Sequence, residues 1–308
     1  MNTSRPQYGE AANPDASDVC YRHPQVTSFT LCQRCGRTVC GDCQIPGPVG
    51  VLCPDCSAAA QPSRGAQLQS SIRSGSRKFF DRDNPFVTYS IIGICVLVWL
   101  AQSVIPGVTG LLAYVPIASS PYYFEPLRSL TSIFTHSTGG ITHIAFNMLA
   151  LWLFGRQLER LIGHRNFLWL FMLSGLGGST FVMLWSLFDP ASAVTATVGA
   201  SGALFGVLAA TVVVMKRIRV NAGGLVLMIV INFAIGFLPG LNISWQAHLG
   251  GLIVGGALMW LLTALHERGK ARKTPLAFLT VTGVLLALHV LFYFVSPSVF
   301  MLGAAAIN

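Results

Sequence analysis

Charge is what this sequence has least of. Of its 308 residues 10% are charged and 53% hydrophobic, and the mean hydropathy is +0.60. A soluble domain carries about 25% charged residues. A chain so poor in them is not built around one water-soluble core, and reads as several membrane spans. Acidic residues are the scarcer sign, 11 against 20 basic. The surplus of +9 would suit nucleic acid if it were gathered on one surface. The basic residues cluster instead at the ends of apolar segments, so no nucleic-acid partner is expected. The first 80 residues are polar and lack the apolar stretch of a signal peptide.

Cysteine is confined as sharply. Seven of eight lie before residue 57, and Cys95 sits alone in an apolar run as filler. The seven join one histidine in four couples of equal spacing: Cys20-x2-His23, Cys32-x2-Cys35, Cys40-x2-Cys43 and Cys53-x2-Cys56. Eight ligands suffice for two tetrahedral zinc sites. Disulfides would leave one of the seven thiols over, and the basic flank that follows points to a reducing cytosol. With so short a span from Cys20 to Cys56, metal must supply most of the folding energy. Spacing alone leaves both sequential and interleaved pairing of the couples open. The segment resembles a B-box-type zinc finger. That resemblance implies cross-bracing, with Cys20, His23, Cys40 and Cys43 on one ion and Cys32, Cys35, Cys53 and Cys56 on the other. Both ions are then structural, and the module is a contact surface for a cytosolic protein partner.

The chain divides by composition into a polar disordered tail (1–17), the finger (18–57), a linker rich in Ser, Gln, Ala and Gly (58–83), an apolar core (84–266), and a last apolar helix with its tail (267–308). Seven spans are expected: about Val87 to Ile105, a second carrying His143 to Glu159, Phe167 to Phe188, Ser201 to Met215, Leu225 to Leu238, Trp245 to Leu265 and Pro275 to Val295. A short tail is expected from Ser296. The fold class is an all-α polytopic membrane protein, six core helices plus a seventh, preceded by the small metal module.

Two fragments in the core carry chemistry. Small residues from Thr197 run into an apolar helix whose start holds one hydroxyl, Ser201, within Gly199-Ala200-Ser201-Gly202. The helix meets Lys216 after 15 residues, about 22 Å at about 1.5 Å per residue. That is too short to span a core of about 30 Å, so Ser201 lies beneath the far interface. In the second fragment His248, Gly251 and Gly255 fall at i, i+3 and i+7 and share a helix face. Glycines there let another backbone come close, bringing the imidazole within reach of a hydroxyl: a minimal nucleophile and base. Packing alone would also explain such small-residue runs, but ionisable groups inside a membrane are rare and usually functional. His143 and Asn147, one turn apart on another span, are donors suited to an oxyanion, or else a pair that bridges helices.

Together these fragments resemble the rhomboid intramembrane serine proteases, over roughly residues 84 to 266. The family's nucleophile stands in GxSG, matched by Gly199 to Gly202, and its base opens a GxxxG helix, matched by His248 with Gly251 and Gly255. Its HxxxN motif falls on His143 and Asn147 and implies oxyanion stabilisation. His136 matches a histidine thought to be structural. A membrane-embedded loop with a Trp-Arg pair is matched at Arg128 only, since Leu127 stands before it. With Glu125 and Asp189 the only carboxylates outside the cytosolic segments, a Ser-His dyad is expected, with Phe205 one turn below Ser201 stacking on the imidazole. Glu159, near Arg156 and Arg160, is expected to tie the cytosolic helix end. His289 on the seventh span is expected to be packed or interfacial.

Placing the amino terminus in the cytosol leaves Arg128 as the one basic residue outside, and 19 of the 20 inside. The carboxyl terminus is then outside, in a multi-pass protein of the cell membrane. His143 lies about 20 Å and His248 about 30 Å of helix above basic boundaries, so three polar groups converge on the outer half of the bilayer. The resulting expectation is an intramembrane serine endopeptidase cutting single-span substrates near the outer face. A rhomboid-like protein that binds membrane helices without cutting is the alternative; inactive relatives lose the serine or histidine, and both are here. A transporter would show internal repeats and more intramembrane carboxylates.

Overall fold

The computed structural model describes residues 18–47, 49–60, 84–238 and 243–305. The expected tail 1–17 and nearly all of the expected linker lie outside these. The chain falls into two units, 1–77 and 78–308.

Among its described residues the first unit has little regular structure: an antiparallel pair, Ile45–Pro46 with Val51–Leu52, the short helix Pro54–Ala60, and isolated bridges joining Val19 to Thr27 and Leu31 to Thr38. Its buried core is Val39 with Cys20, Cys32, Cys40, Cys43 and Cys53. One aliphatic residue among five thiols cannot offset the chain entropy of folding. The ligands themselves are the core.

The second unit is helical. The first span is Phe86–Val104. The second begins at Thr142–Ala150, widens into a π turn over Leu151–Gly155, and ends as Arg156–Ile162. Gly163, with φ of 83°, turns the chain at once into the central helix, His164–Trp185. The serine helix, Ser201–Arg217, the short helix Gly223–Ile235, the histidine helix, Trp245–Glu267, and the last helix, Thr274–Ala305, complete the unit. Among the described residues four helices are long and apolar enough to cross a membrane, as expected of a multi-pass protein, and the central one is the most enclosed of them.

The last helix does not end where the sequence suggested. Pro297 lies inside it and the helix continues to Ala305. Proline removes one backbone donor, but in an apolar setting the other peptide groups still have no better partner than the helix. The tail expected from Ser296 is therefore largely helix.

Three helices pack with their backbones nearly touching. A Cβ placed on Gly251 would lie 1.9 Å from the Gly202 carbonyl oxygen, and one on Gly255 would lie 2.4 Å from the Gly206 Cα. On its other flank Gly206 faces the central helix, where a Cβ would lie 2.2 Å from Ser174 Oγ. The serine and histidine helices thus run parallel in fixed register, Gly202 against Ala247 and Gly251, Gly206 against Gly251 and Gly255. At their far ends Arg217 Nη1 donates to both carboxylate oxygens of Glu267, at 2.9 and 2.8 Å.

Glu159 has partners that the sequence did not suggest. It is completely buried and accepts from the Val87 and Thr88 N–H groups, at 2.8 and 2.7 Å. It also accepts from Thr88 Oγ1 at 2.6 Å and pairs with His164 Nδ1 at 2.5 Å. A carboxylate thus satisfies donors that a helix start leaves open. It does tie a helix end, though the end is that of the first span. Arg156 lies instead over the Trp152 ring, 4.0 Å from its centroid.

Candidate functional site

Ser201 is the first residue of its helix, and the chain reaches it through a strained turn. Gly199 has φ of 120°, a conformation open in practice to glycine alone. Its N–H donates to the Ser132 carbonyl at 3.1 Å. Just before it, Thr197 and Tyr114 exchange backbone hydrogen bonds of 2.7 and 3.1 Å. Tyr114 is fully buried, so the segment leading to the serine is fixed to the loop after the first span.

His248 lies one turn into the histidine helix. Ser244 caps that helix, its side chain accepting from the Ala247 N–H. The imidazole is 6% exposed and stacks on Phe205, ring centroids 4.1 Å apart and planes within 10°. Phe205 is one turn below Ser201, so the stack holds the imidazole beside the start of the serine helix. Nδ1 of His248 is buried and without a hydrogen-bond partner. The ring thus lies on an aromatic face, and among the described residues no carboxylate bonds it. Among the described residues no hydrogen bond joins Ser201 to His248; such bonds are often long before substrate binds.

The second span supplies donors. A Cβ on Gly199 would lie 3.1 Å from both Cε1 and Nε2 of His143, and 3.6 Å from Ser201 Oγ. The His143 ring and the serine hydroxyl therefore flank the same small space. His143 Nδ1 accepts from the Ser137 N–H at 3.3 Å, so a neutral ring carries its proton on Nε2, the atom nearer Gly199. Asn147 is buried and its Nδ2 donates to the His143 carbonyl at 2.8 Å. The second N–H of that amide makes no hydrogen bond among the described residues. His136 is fully buried, with its ring centroid 5.4 Å from that of His143.

The groups behind His143 were not legible in the sequence. Gln102 and Trp99, in the first span, bond the backbone of His136 and Ser137. The only signal was a primary amide in an otherwise apolar run. In the loop, Arg128 pairs with Glu125 and the Gly110 carbonyl and donates to Tyr123 Oη at 2.9 Å, a bracing that needs no neighbouring tryptophan. His289 bonds its own helix at the Leu285 carbonyl, 3.0 Å, and is packed.

The finger brings its eight ligands into two groups, Cys20, His23, Cys40 and Cys43, and Cys32, Cys35, Cys53 and Cys56. This is the interleaved pairing. Zinc bonds of about 2.3 Å to sulfur and about 2.0 Å to nitrogen set tetrahedral donors about 3.5 to 3.8 Å apart. His23 Nδ1 lies 3.3, 3.5 and 3.9 Å from the sulfurs of Cys40, Cys43 and Cys20, and Cys35 Sγ is 3.7 Å from Cys53 Sγ. The residues fit a tetrahedral ion. Burial opposes ionisation of Cys20 and Cys32, yet backbone N–H groups aimed at the sulfurs hold both thiols at about 6. Arg37 donates to Cys35 Sγ at 3.4 Å and pairs with Asp55 at 3.1 Å.

Residues 123–265 match the model of the Rhomboid domain. The chain is 31% identical over 234 residues to Rhomboid protease GluP of Bacillus subtilis (strain 168), covering 73% of this chain and 44% of that protein. It is 28% identical over 233 residues to Rhomboid protein 1, mitochondrial, of Saccharomyces cerevisiae, covering 69% and 66%. With Rhomboid protease AarA of Providencia stuartii it shares 29% over 186 residues, covering 53% and 64%. The chain thus spans between 44% and 66% of the length of these relatives. The second unit, with its multi-pass helices and its serine and histidine helices in backbone contact, carries a match to the Rhomboid domain over residues 123–265.

Proposed function

We propose that the helical unit is an intramembrane serine protease that hydrolyses peptide bonds in transmembrane protein substrates. The observation that carries this reading is the Phe205–His248 stack set over the glycine contact of the two helices, one turn from Ser201. Ser201 Oγ adds to the scissile carbonyl carbon while His248 takes the hydroxyl proton. The carbonyl oxygen becomes an oxyanion, and the donors about it are His143 Nε2–H, Asn147 Nδ2–H and the Ser201 N–H. Collapse breaks the C–N bond, His248 returns the proton to the leaving amine, and the acyl-serine is then hydrolysed by water.

The distribution of basic residues supports cleavage in the outer half of the membrane, with the amino terminus cytosolic and the carboxyl terminus outside. Substrates are single-span proteins whose helix unwinds near the cut, because helical carbonyls are held in hydrogen bonds. Two zinc ions in the finger serve as structural cross-links, and the finger recruits a cytosolic protein.

The test is detergent-purified protein with a model single-span substrate. Wild type is expected to cleave it, and both Ser201→Ala and His248→Ala to be folded and inactive. Cleavage by purified Ser201→Ala protein at the wild-type rate would end the serine-protease reading.

A further inference from the structure

Gln102 stands out among the polar groups that the mechanism does not use. It is 8% exposed, near the end of an apolar span, and both ends of its amide are engaged. Oε1 accepts from the His136 N–H at 3.0 Å, while Nε2 donates to the His136 carbonyl at 3.1 Å and to Thr109 Oγ1 at 3.0 Å. The amide binds one residue's N–H and C=O together, as a neighbouring strand would. Trp99, three residues earlier and so on the same helix face, donates from Nε1 to the Ser137 carbonyl at 3.2 Å. Three hydrogen bonds from the first span therefore hold residues 136 and 137.

What that segment holds in turn is His143. The Ser137 N–H donates to Nδ1 of the ring. An imidazole that accepts at Nδ1 presents N–H at Nε2, and here Nε2 faces the space over Gly199 beside the serine hydroxyl. With the other tautomer, Nε2 would present a lone pair to a developing oxyanion and repel it. Among the described residues the ring makes no other hydrogen bond that would choose between the two states. Between the Ser137 donor and His143 lie Gly139 and Gly140, neither with a neighbour that would hold a side chain tightly. The loop alone does not fix the donor's position.

We propose that Gln102, assisted by Trp99, is a positioning residue for peptide-bond cleavage, selecting the Nε2–H tautomer of His143 through the backbone of residues 136 and 137. The proposal rests on the reading of Ser201 and His143 given above. It predicts a particular failure. Gln102→Met keeps the volume and removes three hydrogen bonds; it lowers kcat by about 10- to 100-fold, less than the roughly 10²- to 10³-fold of one oxyanion donor lost outright because part of the rings keep the Nε2–H form, and leaves KM within about twofold. In a His143→Ala background the same substitution costs less than about twofold, because the group it acts through is gone.

The decisive readout is the tautomer itself, read from ring nitrogen-15 shifts of His143 in histidine-labelled, detergent-purified full-length protein. His143→Ala assigns the signal. Wild type is expected to show Nε2–H, and Gln102→Met a mixture of tautomers. Trp99→Phe, which removes one hydrogen bond of the three, takes its place if the methionine variant does not fold. An Nδ1–H ring in the wild type overturns the proposal, as does a Gln102 variant with unchanged tautomer and unchanged kcat. Loss of activity with the tautomer intact also overturns it, since that marks a merely structural role. Failure of the protease reading is distinguishable, because Ser201→Ala would then match wild type in the cleavage assay while the nitrogen signal still reports the ring.

Discussion

Phe205 gives His248 the flat surface on which its ring lies, and no carboxylate competes for the task. An aromatic stack of this kind is worth about 0.5 to 1.5 kcal/mol beyond the area it buries. Phe205→Leu keeps most of the apolar volume and loses the face, so the rate should fall by about 2- to 12-fold with the protein still folded. Phe205→Tyr keeps the face and should stay near wild type. Single-turnover rates on a model substrate check both, and equal rates for leucine and phenylalanine would remove the stack from the account. Asn147 is a different case, since its amide already donates to the His143 carbonyl. Asn147→Ala is expected to lower kcat by about 10² to 10³, as for one oxyanion donor, and so less than loss of Ser201. Comparable loss in the two variants would give Asn147 another role. At this scale the sequence was most readable where residue type is chemically rare. A serine among glycines and a histidine inside an apolar helix could be found by inspection, and so could Phe205 by counting one turn. Gln102 could not, because its meaning is a set of hydrogen bonds to residues 34 positions away, and nothing in a single amide announces its partner.

The element that sets the site is the contact of two helices through their glycines. Gly251 and Gly256 make a matched pair to test it. A Cβ on Gly251 meets backbone oxygen at 1.9 Å, whereas one on Gly256 meets only the Ala209 Cβ at 3.4 Å, an ordinary contact. Gly251→Ala must push the serine helix away and should cost about 1 to 3 kcal/mol, as overpacking does, along with most activity. Gly256→Ala should stay within about 0.5 kcal/mol of wild type. Thermal unfolding in detergent, followed beside cleavage, compares them; equal stability of the two would mean that the helices are not in register at these glycines. Helix positions were legible from apolar runs, and the glycine face from its spacing. The π turn at Leu151–Gly155 was not, because local widening is set by neighbours. There a Cβ on Gly155 would lie 3.2 Å from Phe167 and 3.3 Å from Thr88, side chains of two other helices. Glu159 was expected to tie a helix end and does, but which end was not legible for a related reason: the donors it satisfies are the open N–H groups of a helix start some seventy residues earlier.

For the whole molecule, the two units answer to different conditions. The finger gathers eight side chains able to hold metal around a core of thiols, while the helical unit rests on backbone contact between apolar helices. Removing metal with a strong chelator should unfold the first and leave the second's thermal transition unchanged. Deleting residues 1–63 should leave cleavage of a model substrate within about twofold of wild type in detergent, because no group in the proposed reaction comes from the finger. A truncated protein that is folded and inert would overturn that separation. The thiol core has one more consequence, and it concerns time. Chains are made at about 5 to 20 residues per second and fold from the amino end first. The 29 residues between Cys56 and Phe86 therefore pass in about 1.5 to 6 s. A cell short of metal in those seconds would go on to insert a sound helical unit carrying a finger that has nothing to fold around, so the age of such a defect would date to synthesis and not to later loss.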